Sequence, residues 1–320
     1  MLPRDLDDYA NADGLRPDGL DDQTDDTAAM RAALSAGPGV VRIGPGYYRC
    51  GEVSIPTQVS LVGAGRATVL RSNGAERLFV QKNIDSWCLR DVVLDGEADG
   101  DWRQRRDLGR SGVYIESSTE WEISGVVVRN MSGAGLELTW VYSASPWKSN
   151  GVLLNVQATG NYVGLRFGQR SEYINAAALG CWNNVVGGVI QGGNIKLANS
   201  NFNSNHTGLL VEDKDNGSHG SISNCLVNHN LEHSLLCRNA TNGMLIDGCC
   251  FFGGIMVIED CAGINLTSSI ISCSVKVEGS AANRIAGNYI IPGEHAFEFC
   301  ESTCLQSNYT ADGSWVLNRQ

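Results

Sequence analysis

One short phrase recurs along more than half of this chain, and it leaves few architectures open. Gly208-Leu-Leu-Val-Glu212 returns as Gly112-Val-Tyr-Ile-Glu116, Gly135-Leu-Glu-Leu-Thr139, Gly164-Leu-Arg-Phe-Gly168, Gly188-Val-Ile-Gln-Gly192, Ser234-Leu-Leu-Cys-Arg238, Gly254-Ile-Met-Val-Ile258, Ser274-Val-Lys-Val-Glu278 and Ala296-Phe-Glu-Phe-Cys300. The opening small residues are spaced by 20 to 29 positions, the period of a solenoid whose units bury their apolar faces only by stacking on copies of themselves. The first and third residues after each small one are nearly always apolar, as in Val113/Ile115, Leu136/Leu138, Leu165/Phe167 and Leu209/Val211. A period of two marks a strand with those side chains turned inward.

Further short apolar runs follow each phrase, such as Glu122-Ile-Ser-Gly-Val-Val-Val-Arg129 and Gly220-Ser-Ile-Ser-Asn-Cys-Leu-Val227, with Asn- or Gly-bearing turns between them. Three short strands per coil need no helix, and the pattern predicts an all-β parallel β-helix of about eleven coils. Turn asparagines recur before the next phrase at Asn130, Asn161, Asn184, Asn205 and Asn230, where they are expected to take the left-handed backbone conformation.

A solenoid grows in one dimension, so 320 residues read as an N-terminal segment with a capping helix over 1–50 and one β-helix domain over 51–320. Thr24-Asp-Asp-Thr27 leads into an Ala- and Leu-rich run that stops at Gly37-Pro38, which predicts a capped helix over 27–36. Its apolar face, Ala29, Met30, Ala33 and Leu34, is expected to plug the open end of the solenoid, since an uncovered terminal coil exposes a row of unpaired backbone groups.

A formal charge of −11 and a pI near 4.9 argue against a nucleic-acid partner and favour neutral or weakly charged ligands. Cys225, Cys237, Cys249, Cys261 and Cys273 recur at steps of 12, which fits free thiols stacked inside the coils and a reducing compartment. No apolar leader opens the chain and nowhere do 18 apolar residues run together, so the expectation is a protein off the membrane, cytoplasmic or virion-associated. The five histidines show no metal-ligand spacing, and no phosphate loop or dinucleotide fingerprint is present; no metal or cofactor is expected.

Residues 24–30, Thr-Asp-Asp-Thr-Ala-Ala-Met, lead on to Val40-Val-Arg-Ile-Gly-Pro-Gly-Tyr-Tyr48 and then Val59-Ser-Leu-Val-Gly-Ala-Gly65. This opening resembles that of the pectin lyase-like, right-handed parallel β-helix proteins. That superfamily includes polysaccharide lyases, family 28-related glycoside hydrolases, sugar epimerases, inulin fructotransferases and phage tailspikes. The resemblance spans residues 20 to 310 and concerns the fold. Ser218-His219-Gly220 only faintly echoes the Gly-His-Gly of the polygalacturonases, and no catalytic residue carries over. The resemblance also implies a homo-oligomer, with trimers frequent among related β-helices. The apolar positions Ile190, Leu236, Met256, Ile258, Phe297 and Phe299 are expected on the surface as its interface.

Two insertions interrupt the short turns, residues 95–109 and 140–150. Insertions in a solenoid go to one surface and usually build the binding site. Trp102, Trp140 and Trp147 would supply apolar faces for a sugar ring, with Asp99 and Asp101 meeting hydroxyls; alternatively, the tryptophans fold their loop against the wall.

The outward positions of the phrase carry Tyr114, Glu116, Glu137 and Arg166. Coils are about 4.8 Å apart, so Glu116, Glu137 and Arg166 are expected to form a ladder, with the carboxyls near the roughly 5 Å separation of retaining glycosidases. Asp95 is the reserve acid and Tyr114 an added substrate contact. These residues predict a carbohydrate-active enzyme that cleaves or transfers glycosyl units of an oligo- or polysaccharide by a carboxylate pair. Two alternatives stand beside it: a polysaccharide lyase using Arg103, Arg105, Arg106 and Arg166 on uronic acids, and a non-catalytic glycan-binding or tailspike-like protein.

Overall fold

The computed structural model describes residues 4–5, 24–141, 150–213, 218–291 and 293–310. Within them the chain is a parallel β-solenoid of about eleven turns with a single helix near the N-terminus. Each coil contributes three short strands to three parallel faces. The first face runs through Val59–Val62, Trp121–Ser124, Ile174–Ala177 and Met244–Asp247 to Cys304–Gln306. The second runs from Gly46–Cys50 through Val93–Asp95 and Gln157–Thr159 to Tyr309–Thr310. The third carries the recurring phrase, from Arg77–Lys82 through Ser111–Glu116, Ala134–Thr139, Val163–Phe167, Val186–Ile190 and Thr207–Glu212 to Phe297–Phe299. The long strands Cys250–Glu259 and Ile270–Glu278 bend across the second and third faces and join them.

Alternation decides what lies inside. Val113, Ile115, Leu136, Leu138, Leu165, Phe167, Leu209 and Val211 are all buried in one continuous core with the inward residues of the other faces. Each such aliphatic side chain contributes about 1.5–3 kcal/mol by leaving water. Trp87 and Trp121, inward on the first-face side of successive coils, stack with ring centroids 5.9 Å apart. The helix Thr27–Ser35 closes one end, with Met30, Ala33 and Leu34 joining the same core. Asp25 rather than Asp26 caps it: an Asp25 carboxylate oxygen accepts from the Thr27 N–H at 2.9 Å, whereas Asp26 accepts from the Arg49 N–H.

The asparagines of the second turn serve differently from their expected role. Asn130 does hold the left-handed conformation, at φ 56°, but Asn161, Asn184, Asn205 and Asn230 are buried with ordinary backbone. In their coils the left-handed position belongs to the preceding residue, Gly160, Asn183, Ser204 and His229. Their side chains form an internal ladder instead. The Asn184 N–H donates to Asn205 Oδ1 at 3.0 Å, the Asn205 N–H to Asn230 Oδ1 at 2.9 Å, and each Nδ2 reaches a carbonyl of its own or the preceding coil. A tight turn leaves amides with no strand partner, and a stacked carboxamide satisfies one donor and one acceptor per coil.

Two coils are displaced by one residue from the expected phase. Ile190 aligns with Phe167 and Val211, and Met256 and Ile258 align with Leu235 and Cys237, so all three belong to the core. Both shifts occur at paired glycines, Gly187-Gly188 and Gly253-Gly254, the second pair within a register shift of its strand. Phe297 and Phe299 are half-buried against the core, and Leu236 is buried though outward. The apolar surface row expected as a subunit interface therefore loses half of its members to the interior.

All eleven cysteines are free thiols in the structure. Cys225, Cys237, Cys249, Cys261 and Cys273 are buried, as their spacing predicts. Among the described residues no helix is long and apolar enough to cross a membrane.

Candidate functional site

Strand register sets which outward side chains meet on the third face. Tyr114 pairs with Glu137, Glu137 with Arg166, Arg166 with Val189 and Val189 with Leu210, one straight row across five coils. Glu116 pairs with Thr139 and Lys82, two residues further along the strand, so it does not stack on Glu137 as the ladder expectation had it. Adjacent coils align position for position; Glu116 is therefore a diagonal neighbour of Glu137, and its carboxylate turns the other way.

Glu116 Oε2 accepts from Lys82 Nζ and from the Tyr114 hydroxyl, both at 2.8 Å. Lys82 and Tyr114 hold Glu116 below the usual carboxylate range. Burial and the acceptor Glu116 push the Tyr114 phenol up to about 12. The Arg77 guanidinium lies over the Tyr114 ring at 3.8 Å. This group is a closed set of ion pairs and ring contacts. While those contacts stand, Glu116 is held as the carboxylate and turned toward Lys82.

Glu137 sits in a different setting. Its Oε2 accepts from the Ser111 hydroxyl at 2.8 Å and its Oε1 from Arg166 Nη1 at 3.3 Å. The other prong of Arg166 donates to Asp107 Oδ2 at 2.9 Å. Asp107 arrives on the first insertion, and its approach is set by Arg105, whose guanidinium donates to Ala98 O at 2.7 Å and to the carbonyl of Gly160. These bonds tie the loop to itself and to the next coils. One guanidinium and two hydrogen bonds limit the two carboxylate oxygens to within about 8.5 Å of each other, with a planar fork holding both. Burial alone would lower the Arg166 pKa; its hydrogen bond to Asp107 and the charge of Glu137 outweigh that, and it stays charged.

An open groove of about 380 Å³ lies beside this bridge. Among the described residues its lining includes Glu137, Thr139, Arg166, Gln169, Gln191 and Glu212 as polar groups, and Val163, Val186, Val189, Leu210 and Tyr162 as an apolar floor. The Gln191 amide is oriented by Glu212, whose Oε2 accepts from Gln191 Nε2 at 2.9 Å.

The remaining sequence candidates fall elsewhere. Asp95 ends a strand of the second face and accepts from Arg129 Nε at 2.8 Å, Asn130 Nδ2 at 3.1 Å and the Glu97 N–H at 3.0 Å. It anchors the start of the insertion and is not brought to Glu137. Asp101 caps the 3₁₀ turn Trp102–Gln104, accepting from the Arg103 N–H at 3.0 Å, with Trp102 half-buried under Arg103. Asp99 is exposed. Trp140 is 45% exposed, with the Arg170 guanidinium 4.6 Å from its ring centre. Trp147 lies outside the described residues. Asp107, Ser111 and Lys82 are the members that sequence reasoning missed. The one signal for Ser111 is its place just before the Gly112 phrase, where the strand begins.

Among the described residues no group of three or more His, Cys, Asp or Glu side chains is placed to hold a metal ion.

No protein-family model matches the sequence, and no curated protein matches it. Solved structures do resemble it. The A-module of the Azotobacter vinelandii mannuronan C-5 epimerase AlgE4 matches at 17% identity and a TM-score of 0.67, over 96% of this chain and 95% of that one. A hyperthermoactive exopolygalacturonase from Thermotoga maritima matches at 12% identity and a TM-score of 0.67, over 96% and 91%. PfbA, a surface adhesin of Streptococcus pneumoniae, matches at 13% identity and a TM-score of 0.62, over 97% and 90%. At these identities the likeness is one of backbone, and it agrees with the parallel β-solenoid fold described above.

Proposed function

We propose that the third-face groove binds a glycan and that Asp107 and Glu137, bridged by Arg166, form the carboxylate pair that cleaves or transfers its glycosyl unit. The observation that supports this most is the bridge itself: two carboxylates on the two prongs of one guanidinium, with Glu137 and Arg166 lining an open groove. Their maximum span covers both the separation at which a second carboxyl attacks directly and the one that admits a water. When a sugar oxygen takes up one prong of Arg166, the carboxyl released from it, in its protonated form, is placed to donate to the leaving oxygen. The other carboxylate then attacks, activates water or stabilises the developing positive charge. The Ser111 hydroxyl holds Glu137 in place through the exchange.

Relatives by fold include an epimerase and an exopolygalacturonase, which agrees with a glycan ligand. The lyase alternative has less support, because a uronate needs a cation with free donors. Both prongs of Arg166 are engaged by protein carboxylates, and Arg105 is spent on backbone carbonyls. Glycan binding without turnover is the second reading, favoured by the similarity to a surface adhesin.

The deciding experiment is product analysis by mass spectrometry after incubation with a panel of neutral and acidic glycans, beside Glu137→Gln and Asp107→Asn. Turnover by the wild type that both variants lose supports the pair. Binding with no turnover on any glycan moves the function to recognition.

A further inference from the structure

Beside the carboxylate bridge the outside of the solenoid carries an apolar cluster that the core does not include. Ala134, Val163 and Val189 are buried against one another and against Tyr162, Val186 and Leu210, as a group separate from the main interior. Other outward strand positions on this face are charged, at Lys82, Glu116, Arg238 and Lys276, while the row through Leu210 stays apolar at Leu236 and Val257. Along the row that begins Glu137–Arg166 the next two members are Val189 and Leu210. The lining therefore changes from ionic to aliphatic within two coils, about 10 Å.

Charge narrows what this surface can receive. Glu137 and Glu212 stand in the groove against a single guanidinium, whose two prongs are already bonded to carboxylates. An anionic sugar would meet like charge there, with Arg166 the one cation among the described lining residues. A hydroxymethyl or carboxylate set on the valines would lose its water with no partner in return, whereas a methyl group gains from the same contact.

We propose that Val186, Leu210 and Tyr162, backed by the buried Val163 and Val189, form a subsite for an uncharged sugar that carries a methyl-terminated substituent, next to the Asp107–Arg166–Glu137 bridge. The N-acetyl group of an acetamido sugar and the C6 methyl of a deoxyhexose share this chemistry. Gln169 and Gln191 on the rim supply amide groups suited to the sugar's hydroxyl or amide side. The inference rests on the groove being the glycan site.

The test is saturation-transfer NMR and titration of the intact protein with four probes: N-acetylglucosamine, L-rhamnose, glucose and galacturonate. The methyl protons of the first two should receive the largest transfer, and the tighter of the two identifies the substituent. Each methyl-bearing probe that fits should bind about 10-fold more tightly than glucose, with galacturonate weakest. Val186→Thr, which keeps the shape of the side chain and adds a hydroxyl, and Leu210→Ser should each reduce that preference several-fold. Galacturonate binding as tightly as the methyl sugars, an unchanged preference in both variants, or no binding by any probe would overturn the subsite. The glycan panel separates this outcome from failure of the catalytic reading. Methyl preference without turnover removes catalysis and leaves the subsite, while turnover confined to glycans lacking methyl-bearing sugars does the reverse.

Discussion

Replacing Asn205 by alanine tests the asparagine ladder that shapes the turn beneath the groove. Asn205 is fully buried, and its Oδ1 accepts from both the N–H and the Nδ2 of Asn184 at 3.0 Å. Its Nδ2 donates to Cys181 O at 3.0 Å and to Asn230 Oδ1 at 3.2 Å. Removal leaves the Asn184 N–H without its acceptor inside the protein, a cost of about 1–3 kcal/mol, and forfeits the other bonds at roughly 0.5–1.5 kcal/mol each where partners remain. The expected loss is about 2–4 kcal/mol, read as a lower chemical-denaturation midpoint at unchanged slope. Hydrogen exchange at the Asn184 amide should accelerate in parallel. Asn205→Asp provides the control for volume: it keeps an acceptor for Asn184 but turns an oxygen toward Cys181 O and Asn230 Oδ1, and its loss should equal or exceed that of alanine. A loss below about 1 kcal/mol in both variants, with Asn184 still protected, would refute the reasoning.

Glu137→Gln should lower turnover on an accepted glycan by about 10²–10⁴-fold, the usual contribution of a positioned acid or base, while circular dichroism remains that of the wild type. Glu116→Gln should cost stability near neutral pH. Because Lys82 and Tyr114 depress the Glu116 pKa below its ordinary value of 4.5, that contribution is present above the unfolded value and is lost as pH falls through the folded one. The gap between variant and wild-type melting temperatures should accordingly close on acidification. Gly151→Ala would place a Cβ 2.1 Å from the Trp121 ring; a destabilisation of about 1–3 kcal/mol is expected from this overpacking, measurable by thermal melting. Alkylation followed by mass spectrometry should modify the exposed Cys304 and the partly exposed Cys300, whose thiol is lowered by Ser302 and Thr303 against the effect of burial. Cys50, buried and pushed up to about 12, should stay unmodified until the protein unfolds.

Much of the fold was legible because a parallel coil writes its geometry into the chain twice, once as a two-residue alternation and once as a repeat. Val113/Ile115 and Leu165/Phe167 point inward for the reason their spacing implies. Legibility failed where side chains were absent or had two possible uses. Gly187-Gly188 and Gly253-Gly254 carry no side chain to show which face they serve, and the phase slipped by one residue at each. An asparagine in a turn can offer its backbone or its carboxamide, and Asn184 and Asn205 offer the carboxamide because stacking places another coil's amide within reach.

The site divides along the same line. Residue order placed Glu137 and Arg166 in one outward row of successive phrases, since stacked coils repeat position for position, but it set Glu116 in that ladder where the register puts Tyr114. It also determined that an insertion rich in acids and arginines leaves the solenoid just before that row begins. Only the tertiary structure decided which acid meets Arg166. Lys82, from the preceding coil, takes Glu116 out of reach, and Arg105, bonded to carbonyls in its own loop and in a neighbouring coil, brings Asp107 back over the face. Those choices depend on where one coil lies above another and on how a loop crosses between two faces, and neither is a periodic property of the chain.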